Sequence, residues 1–315
     1  MSLSRKKQEL RERRTGTILC HNCGWNMNLQ VSAAYESTVK CFFGHGLRGM
    51  WNIGDDYILK ELPLIDSFGG DHIGSDAATT KWLRENTAIP VVEKMEYWRD
   101  SNSHFFLMKR VPGESLQDAW PRLSGPEKQK YAREVIGYIA DLRKHKAASP
   151  QTVEGAPVRD KLLGSTETSI MMIEDKETWW ERVAQGFVKF DQTWIEKFKS
   201  RYPKQPVQYV LTHGDLNTGN IMIHDGHVSG IIDWEHAGYF PDWWEHAAAV
   251  GWIVEPQWQR YILDEMEKQL NTEYGNYREA ADFCQTFQTT YKVPSGKGYR
   301  RAKDRGNFCD CKPDF

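Results

Sequence analysis

The stretch between His213 and Glu235 constrains this chain more than any other part of it. It reads His213-Gly-Asp215-Leu-Asn-Thr-Gly-Asn220, then Ile221-Met-Ile223 and Val228-Ser-Gly-Ile-Ile232 around Asp225-Gly226, then Asp233-Trp-Glu235. Asp-Gly between two apolar runs signals a tight hairpin, because a type I′ turn needs positive φ at both central residues. Val207 to Leu211 is rich in β-formers and predicts a short strand leading into the segment. The hairpin would return the chain so that Asp233 leaves its second strand beside Asn220. Two carboxylates and a carboxamide would then be gathered within one local structure. These are hard oxygen groups of the kind Mg²⁺ prefers.

Such a set suits phosphoryl transfer, where the protein mainly orients a hydroxyl and neutralises phosphate charge. Asp215 stands where a carboxylate can accept a hydrogen bond from an acceptor hydroxyl and then take its proton. Asn220, five residues on, fits the kinase pattern H-x-D-x-x-x-x-N and would bind metal through its amide oxygen, with Asp233 as the second metal ligand. A nucleotide-binding half is also legible. Ser37 to Phe43 predicts a first strand, Gly44-His-Gly46-Leu-Arg-Gly49 a glycine-rich turn, Met50 to Ile53 a second strand, and Tyr57 to Leu62 a third that carries Lys60. Glycines let backbone N–H groups approach phosphate oxygens because no Cβ intervenes. A plain hairpin is the alternative for Gly44, Gly46 and Gly49, and a solubilising edge-strand lysine for Lys60.

With these motifs in place, the chain resembles the aminoglycoside phosphotransferase and choline kinase superfamily, and within it a fungal branch of phosphotransferase-family proteins. The resemblance spans about residues 38 to 275. It takes in Gly54-Asp-Asp-Tyr-Ile-Leu-Lys60, Glu85-Asn-Thr-Ala-Ile-Pro90, Phe105-Phe-Leu-Met-Lys-Arg-Val-Pro-Gly-Glu-Ser-Leu116 and Asp233-Trp-Glu-His-Ala-Gly-Tyr-Phe-Pro241. It implies an α+β, protein-kinase-like two-lobed fold, with a small, mainly antiparallel β N-lobe and a larger, mostly helical C-lobe. The corresponding boundaries are an extension at 1–36, a nucleotide-binding lobe at 37–111, a catalytic lobe at 112–290, and a tail at 291–315 expected to be mobile. The resemblance also implies ATP and Mg²⁺. It places the carboxylate that holds the nucleotide-site lysine at Asp76, one methylene shorter than the usual glutamate, and puts adenine near the backbone of Lys109 to Val111. Asp76 could instead support the N-terminus of a helix over Ser75–Glu85, where negative charge is favourable.

The acceptor class follows from what comes after Asp233. Pro241-Asp-Trp-Trp-Glu245 arrives at once and runs into apparent helix, leaving no room for the long activation segment of a protein kinase. A small hydroxylated acceptor is expected. Glu235 could assist the metal or hold the loop. Asp242 and Glu245 could recognise an amine or cap the helix, and capping is the expectation. Ser124-Gly-Pro126-Glu127 is a capping box ahead of Tyr131, Val135, Ile139 and Leu142 on one helical face. Helices are also expected over Trp179–Phe198, Asp242–Val254 and Trp258–Leu270. Their tryptophans could line an acceptor pocket, but aromatics at helical spacing are read as core.

A net charge of −2 over 315 residues argues against nucleic acid as partner, and no apolar run reaches membrane length. The basic segment Arg5 to Arg14 has no apolar stretch behind it, so a cytoplasmic protein is expected. Cys20-His-Asn-Cys23 and Cys309-Asp-Cys311 could supply four thiolates to zinc, although reduced thiols are the default in the cytosol. Two readings remain. One is an ATP- and Mg²⁺-dependent O-phosphotransferase. The other is a nucleotide-binding pseudokinase with a regulatory or scaffold role.

Overall fold

The computed structural model describes residues 18–20, 25–26, 39–45, 48–63, 75–101, 103–160, 175–187, 189–203, 209–270 and 277–290. Two short antiparallel strands come first, β1 (Ile18–Cys20) and β2 (Trp25–Asn26). They are followed by β3 (Val39–His45), β4 (Arg48–Ile53), β5 (Tyr57–Pro63), β6 (Met95–Arg99) and β7 (Ser103–Lys109). These five form one antiparallel sheet in the order β3-β4-β5-β7-β6. The chain divides into two compact units: among the described residues, those up to 63 and 94–110 form the first, which holds this sheet, and 75–93 and 111–290 form the second. Residues 75–93, which the domain expectation assigned to the nucleotide lobe, cluster instead with the second.

Cross-strand register explains which residues of the sheet are buried. Directly paired residues share a face. Lys60 pairs with Phe106, Leu62 with His104, and Ile58 with Met108. Of these, Lys60, Leu62, His104, Phe106 and Met108 are buried. The opposite face carries Leu59, Phe105 and Leu107, which are half-buried, and exposed Trp98 stacks on Phe105 at 5.3 Å. Edge strand β6 escaped the sequence reading because almost all of it is exposed, so it has no apolar alternation to detect.

The second unit contains α1 (Ser75–Asn86), β8 (Glu114–Ser115), α2 (Leu116–Ala119), α3 (Gly125–Leu142), β9 (Lys146–Ala147), α4 (Lys176–Val183) and α5 (Gln192–Ser200). It continues with β10 (Tyr209–Thr212), β11 (Ile221–His224), β12 (His227–Ile231), β13 (Gly238–Phe240), α6 (Trp244–Trp252), α7 (Pro256–Gln269) and α8 (Tyr277–Thr290). Its strands form two small sheets, β13-β10-β9 and β12-β11-β8. The capping box at the head of α3 is present: Ser124 Oγ accepts from the Glu127 amide, and the Ser124 amide donates to Glu127 at 2.8 Å. Beyond it, Tyr131, Val135, Ile139 and Leu142 are buried, in one apolar cluster with Trp258, Ile262 and Met266 of α7. Each such side chain contributes about 1.5–3 kcal/mol through burial.

A second cluster is dominated by aromatic rings: Trp179, Phe187, Phe198, Trp244, Phe283 and Phe287 are all buried. The tryptophans at helical spacing are therefore core, as read. α8 was not anticipated, although Ala280, Phe283, Cys284 and Phe287 lie along one buried helical stripe. Among the described residues, no helix is long and apolar enough to cross a membrane. The expectations for residues 1–17, for Cys23, Cys309 and Cys311, and for the tail 291–315 fall outside the described residues.

Candidate active site

The segment His213–Glu235 folds as the spacing predicts. β11 and β12 pair antiparallel from Ile221↔Ile231 to His224↔His227. Asp225 (φ 49°) and Gly226 (φ 78°) supply the two positive φ angles of the turn. At the open end of the hairpin, the Ile232 amide donates to the Asn220 carbonyl at 2.9 Å. Asp233, the next residue, therefore emerges beside Asn220. Asp233 itself is left-handed, with φ 66° and ψ 57°. A non-glycine residue held there stores strain, and such positions cluster at functional sites.

The loop before the hairpin is knitted by its own side chains. Asn220 Nδ2 donates to the Asp215 carbonyl at 2.9 Å, which directs the amide oxygen Oδ1 away from that contact. The Asp215 amide donates to His213 Nδ1 at 3.0 Å, and His213 Nε2 contacts the Ile232 carbonyl at 3.1 Å. Nδ1 accepts and Nε2 donates, which defines a neutral Nε2–H tautomer for the buried ring. Trp234 meets the His213 ring edge-on at 4.4 Å. Asp215, Asn220 and Asp233 are each partly exposed, unlike their buried neighbours His213, Leu216, Ile221 and Trp234.

Three contacts come from residues distant in sequence. Glu245 Oε2 accepts from the His213 amide at 2.8 Å, and Oε1 from the Gly214 amide at 3.0 Å. The expectation that Glu245 caps its own helix is thus corrected. α6 has no side-chain cap, and the carboxylate turns onto the His213–Asp215 loop because two buried amides need an acceptor there. Asp76 Oδ1 accepts from the Trp234 amide at 3.0 Å, so this buried carboxylate braces the residue after Asp233 as well as lying in the first turn of α1. Asn217 Nδ2 donates to Asp215 Oδ1 at 2.5 Å. Sequence reasoning missed Asn217 although it lies inside the motif, because nothing in the spacing assigns it a target.

Other charged groups lie in the second unit. Burial pushes the Asp242 carboxyl up, opposed by the positive charge of Arg143. Burial lowers the Arg159 guanidinium, opposed by the negative charge of Glu235. Glu235 and its neighbour His236 approach within 3.5 Å.

In the first unit, buried Lys60 sits mid-strand with Nζ 5.8 Å from the Phe106 ring centre. Gly44 and Gly49 face each other across the β3–β4 ladder and flank its tip, and Gly46 falls outside the described residues. Gly49 is also buried beneath its own strand neighbour, since a Cβ there would collide with the Trp51 ring. At the end of β7, the Lys109 amide donates to Lys94 at 2.8 Å and the Arg110 amide to Asp56 at 2.6 Å. Two of the backbone donors in the run offered for adenine, those of Lys109 and Arg110, are thus engaged within the first unit.

The model of the phosphotransferase enzyme family matches residues 73–283, more than half of the chain and including every second-unit site residue named above. The chain belongs to the phosphotransferase enzyme family. Among curated proteins, it is similar to clavilactone A biosynthesis cluster protein Y of Ampulloclitocybe clavipes, at 24% identity over 221 residues. That match covers 59% of this chain and 53% of the relative, so the chain spans about half the length of the curated relative it matches. Among solved structures, the GDP complex of wild-type aminoglycoside 2′-phosphotransferase-IIIa has a TM-score of 0.53 at 15% identity, covering 84% of this chain and 87% of that one. An aminoglycoside-3′-phosphotransferase of type VIII has a TM-score of 0.51 at 17% identity, covering 86% of this chain and all of that one (100%). These structures share the α+β kinase-like fold with this phosphotransferase-family chain.

Proposed function

We propose that this phosphotransferase-family chain transfers the γ-phosphoryl group of ATP to a hydroxyl of a small molecule, using Mg²⁺. Asp215 accepts the hydroxyl proton as the new O–P bond forms and the bond to ADP breaks. Asn220 Oδ1 and the Asp233 carboxylate would hold the metal, which when bound would neutralise phosphate charge. The donor set fits: both ligand atoms are oxygen, one from a carboxamide and one from a carboxylate, as a hard divalent cation prefers. The orientation of the Asn220 amide carries the reading. Its nitrogen is committed to the Asp215 carbonyl, so its oxygen is the atom offered outward. Lys60 pairs with the nucleotide phosphates, Gly44, Gly46 and Gly49 shape the turn over them, and backbone groups between Lys109 and Val111 meet adenine.

The acceptor is a small molecule rather than a protein side chain. Only residues 234–243 separate Asp233 from α6, too few for a peptide-docking segment. Aminoglycosides, choline-like amino alcohols, sugars and intermediates of biosynthetic clusters are the classes to screen. The site of action is the cytosol.

The test is incubation with Mg·ATP and an acceptor panel, with mass spectrometry of the products and measurement of ADP. The expected result is Mg²⁺-dependent ADP release with one acceptor class gaining a phosphoryl group. Nucleotide binding with no phosphoryl transfer to any acceptor or to water would overturn this reading in favour of a regulatory nucleotide-binding protein.

A further inference from the structure

Asn217 makes more specific contacts than its place in the loop requires. One Nδ2 proton goes to Asp215 Oδ1 at 2.5 Å and the other to the Trp252 carbonyl at 3.2 Å, while its Oδ1 accepts from the Val254 amide at 3.0 Å. Both amide protons and the amide oxygen are therefore engaged. Trp252 is the last residue of α6, and Val254 lies in the turn that leads to α7. The adjoining Leu216 carbonyl is held from the same side by Trp258 Nε1 of α7, at 2.7 Å in a buried contact. The stretch 215–217 is thus fastened to the α6–α7 turn through side chains on both partners.

We infer that Asn217 is a positioning residue for Asp215, fixing the carboxylate so that one oxygen is engaged and the other faces the acceptor. This rests on the proposed phosphoryl transfer. With Oδ1 occupied by the Asn217 proton, Oδ2 is the oxygen that receives the hydroxyl proton. The same amide makes the aim of the base depend on the position of the α6–α7 turn. That turn exposes Val254, a residue 84% exposed although its amide is held. A structural staple alone would use the contacts to Trp252 and Val254 but would not need the contact to Asp215.

Two substitutions separate these roles. Asn217→Asp keeps an oxygen for the Val254 amide but offers Asp215 a like charge and no proton. Asn217→Ala removes all three bonds. ADP release from Mg·ATP, with water as acceptor, is measured for both, alone and in the Asp215→Asn background, together with thermal midpoints. A hydrogen bond to a charged group is worth about ten- to a hundredfold. Both single variants should lose turnover by about that factor with KM for ATP nearly unchanged. Neither should lower the residual rate of Asp215→Asn further, because the group they position is already gone. Wild-type turnover in Asn217→Asp, or an equal loss in both backgrounds, overturns the inference while leaving phosphoryl transfer intact. No Mg²⁺-dependent ADP release from the wild type overturns the transfer reading and this inference with it.

Discussion

The Asp215 loop of the second unit and the lysine-bearing sheet of the first are held in place by different means. Around Asp215, the amides of His213 and Gly214 end on Glu245, that of Asp215 on His213, and that of Trp234 on Asp76. Each of these bonds needs one particular side chain. Lys60, by contrast, is placed by ladder register: it lies opposite Phe106 and Met50 in a run of antiparallel pairs that many β-compatible sequences could make. Specific polar bonds fix the loop, whereas backbone pairing and a buried face fix the lysine. The loop should therefore fail through single polar substitutions. The sheet should fail only through loss of Lys60 itself or of the buried face around it.

Substitutions test that contrast in decreasing order of effect. Asp215→Asn keeps the shape of the loop but removes the base, and ADP release should fall about 10²–10⁴-fold with the thermal midpoint nearly unchanged. Glu245→Ala leaves two buried amides without their acceptor, so chemical denaturation should show a loss of about 2–4 kcal/mol together with reduced turnover. Asp76→Ala removes one such acceptor, and about 1–3 kcal/mol is expected. Turnover should fall as well, because the bond to Trp234 braces the neighbour of Asp233. If Asp76 served only as a helix-terminal charge, the stability loss would be about 0.3–1 kcal/mol and turnover would be untouched.

The smallest effect belongs to the sheet. His104 is buried, with Nδ1 2.8 Å from the Tyr97 hydroxyl, and burial, aided by the positive charge of Arg99, lowers its pKa. The unfolded chain then binds the proton more readily than the folded one. Stability from this group is complete above about pH 6.5, the ordinary histidine value, and declines as pH falls below it. Thermal midpoints measured from pH 7.5 to 5 should decline, and His104→Gln should flatten part of that slope. An unchanged slope would show that other groups set the acid sensitivity of the fold.

How much of this was legible in the sequence depended on chain distance. The hairpin at Asp225-Gly226, the return to Asp233 and the capping box at Ser124 are set by neighbours a few residues away, and local turn chemistry reveals them. Glu245 reaches its amides across 32 and 31 residues, and Asp76 reaches Trp234 across 158. No local pattern encodes such pairings. Asp76 could be read only as a partner for Lys60 or as a helix-terminal charge, because its second unit partner lies so far along the chain. Asn217 sits within the motif but finds Trp252 and Val254 only after α6 has folded back, so its role was hidden while its position was plain. Gly49 shows a further limit, because a glycine that reads in the sequence as part of a phosphate-binding turn is the seat of the Trp51 ring.

The most direct test is a Mg²⁺ titration of ADP release by the wild-type chain and by Asp233→Ala, with ATP fixed and the folded state of both checked by circular dichroism. The expected result is saturable Mg²⁺-dependent release in the wild type and about 10²-fold or greater loss in Asp233→Ala, as for removal of a group that stabilises transition-state charge. Equal rates in the two proteins would contradict the assignment of Asp233 to the metal.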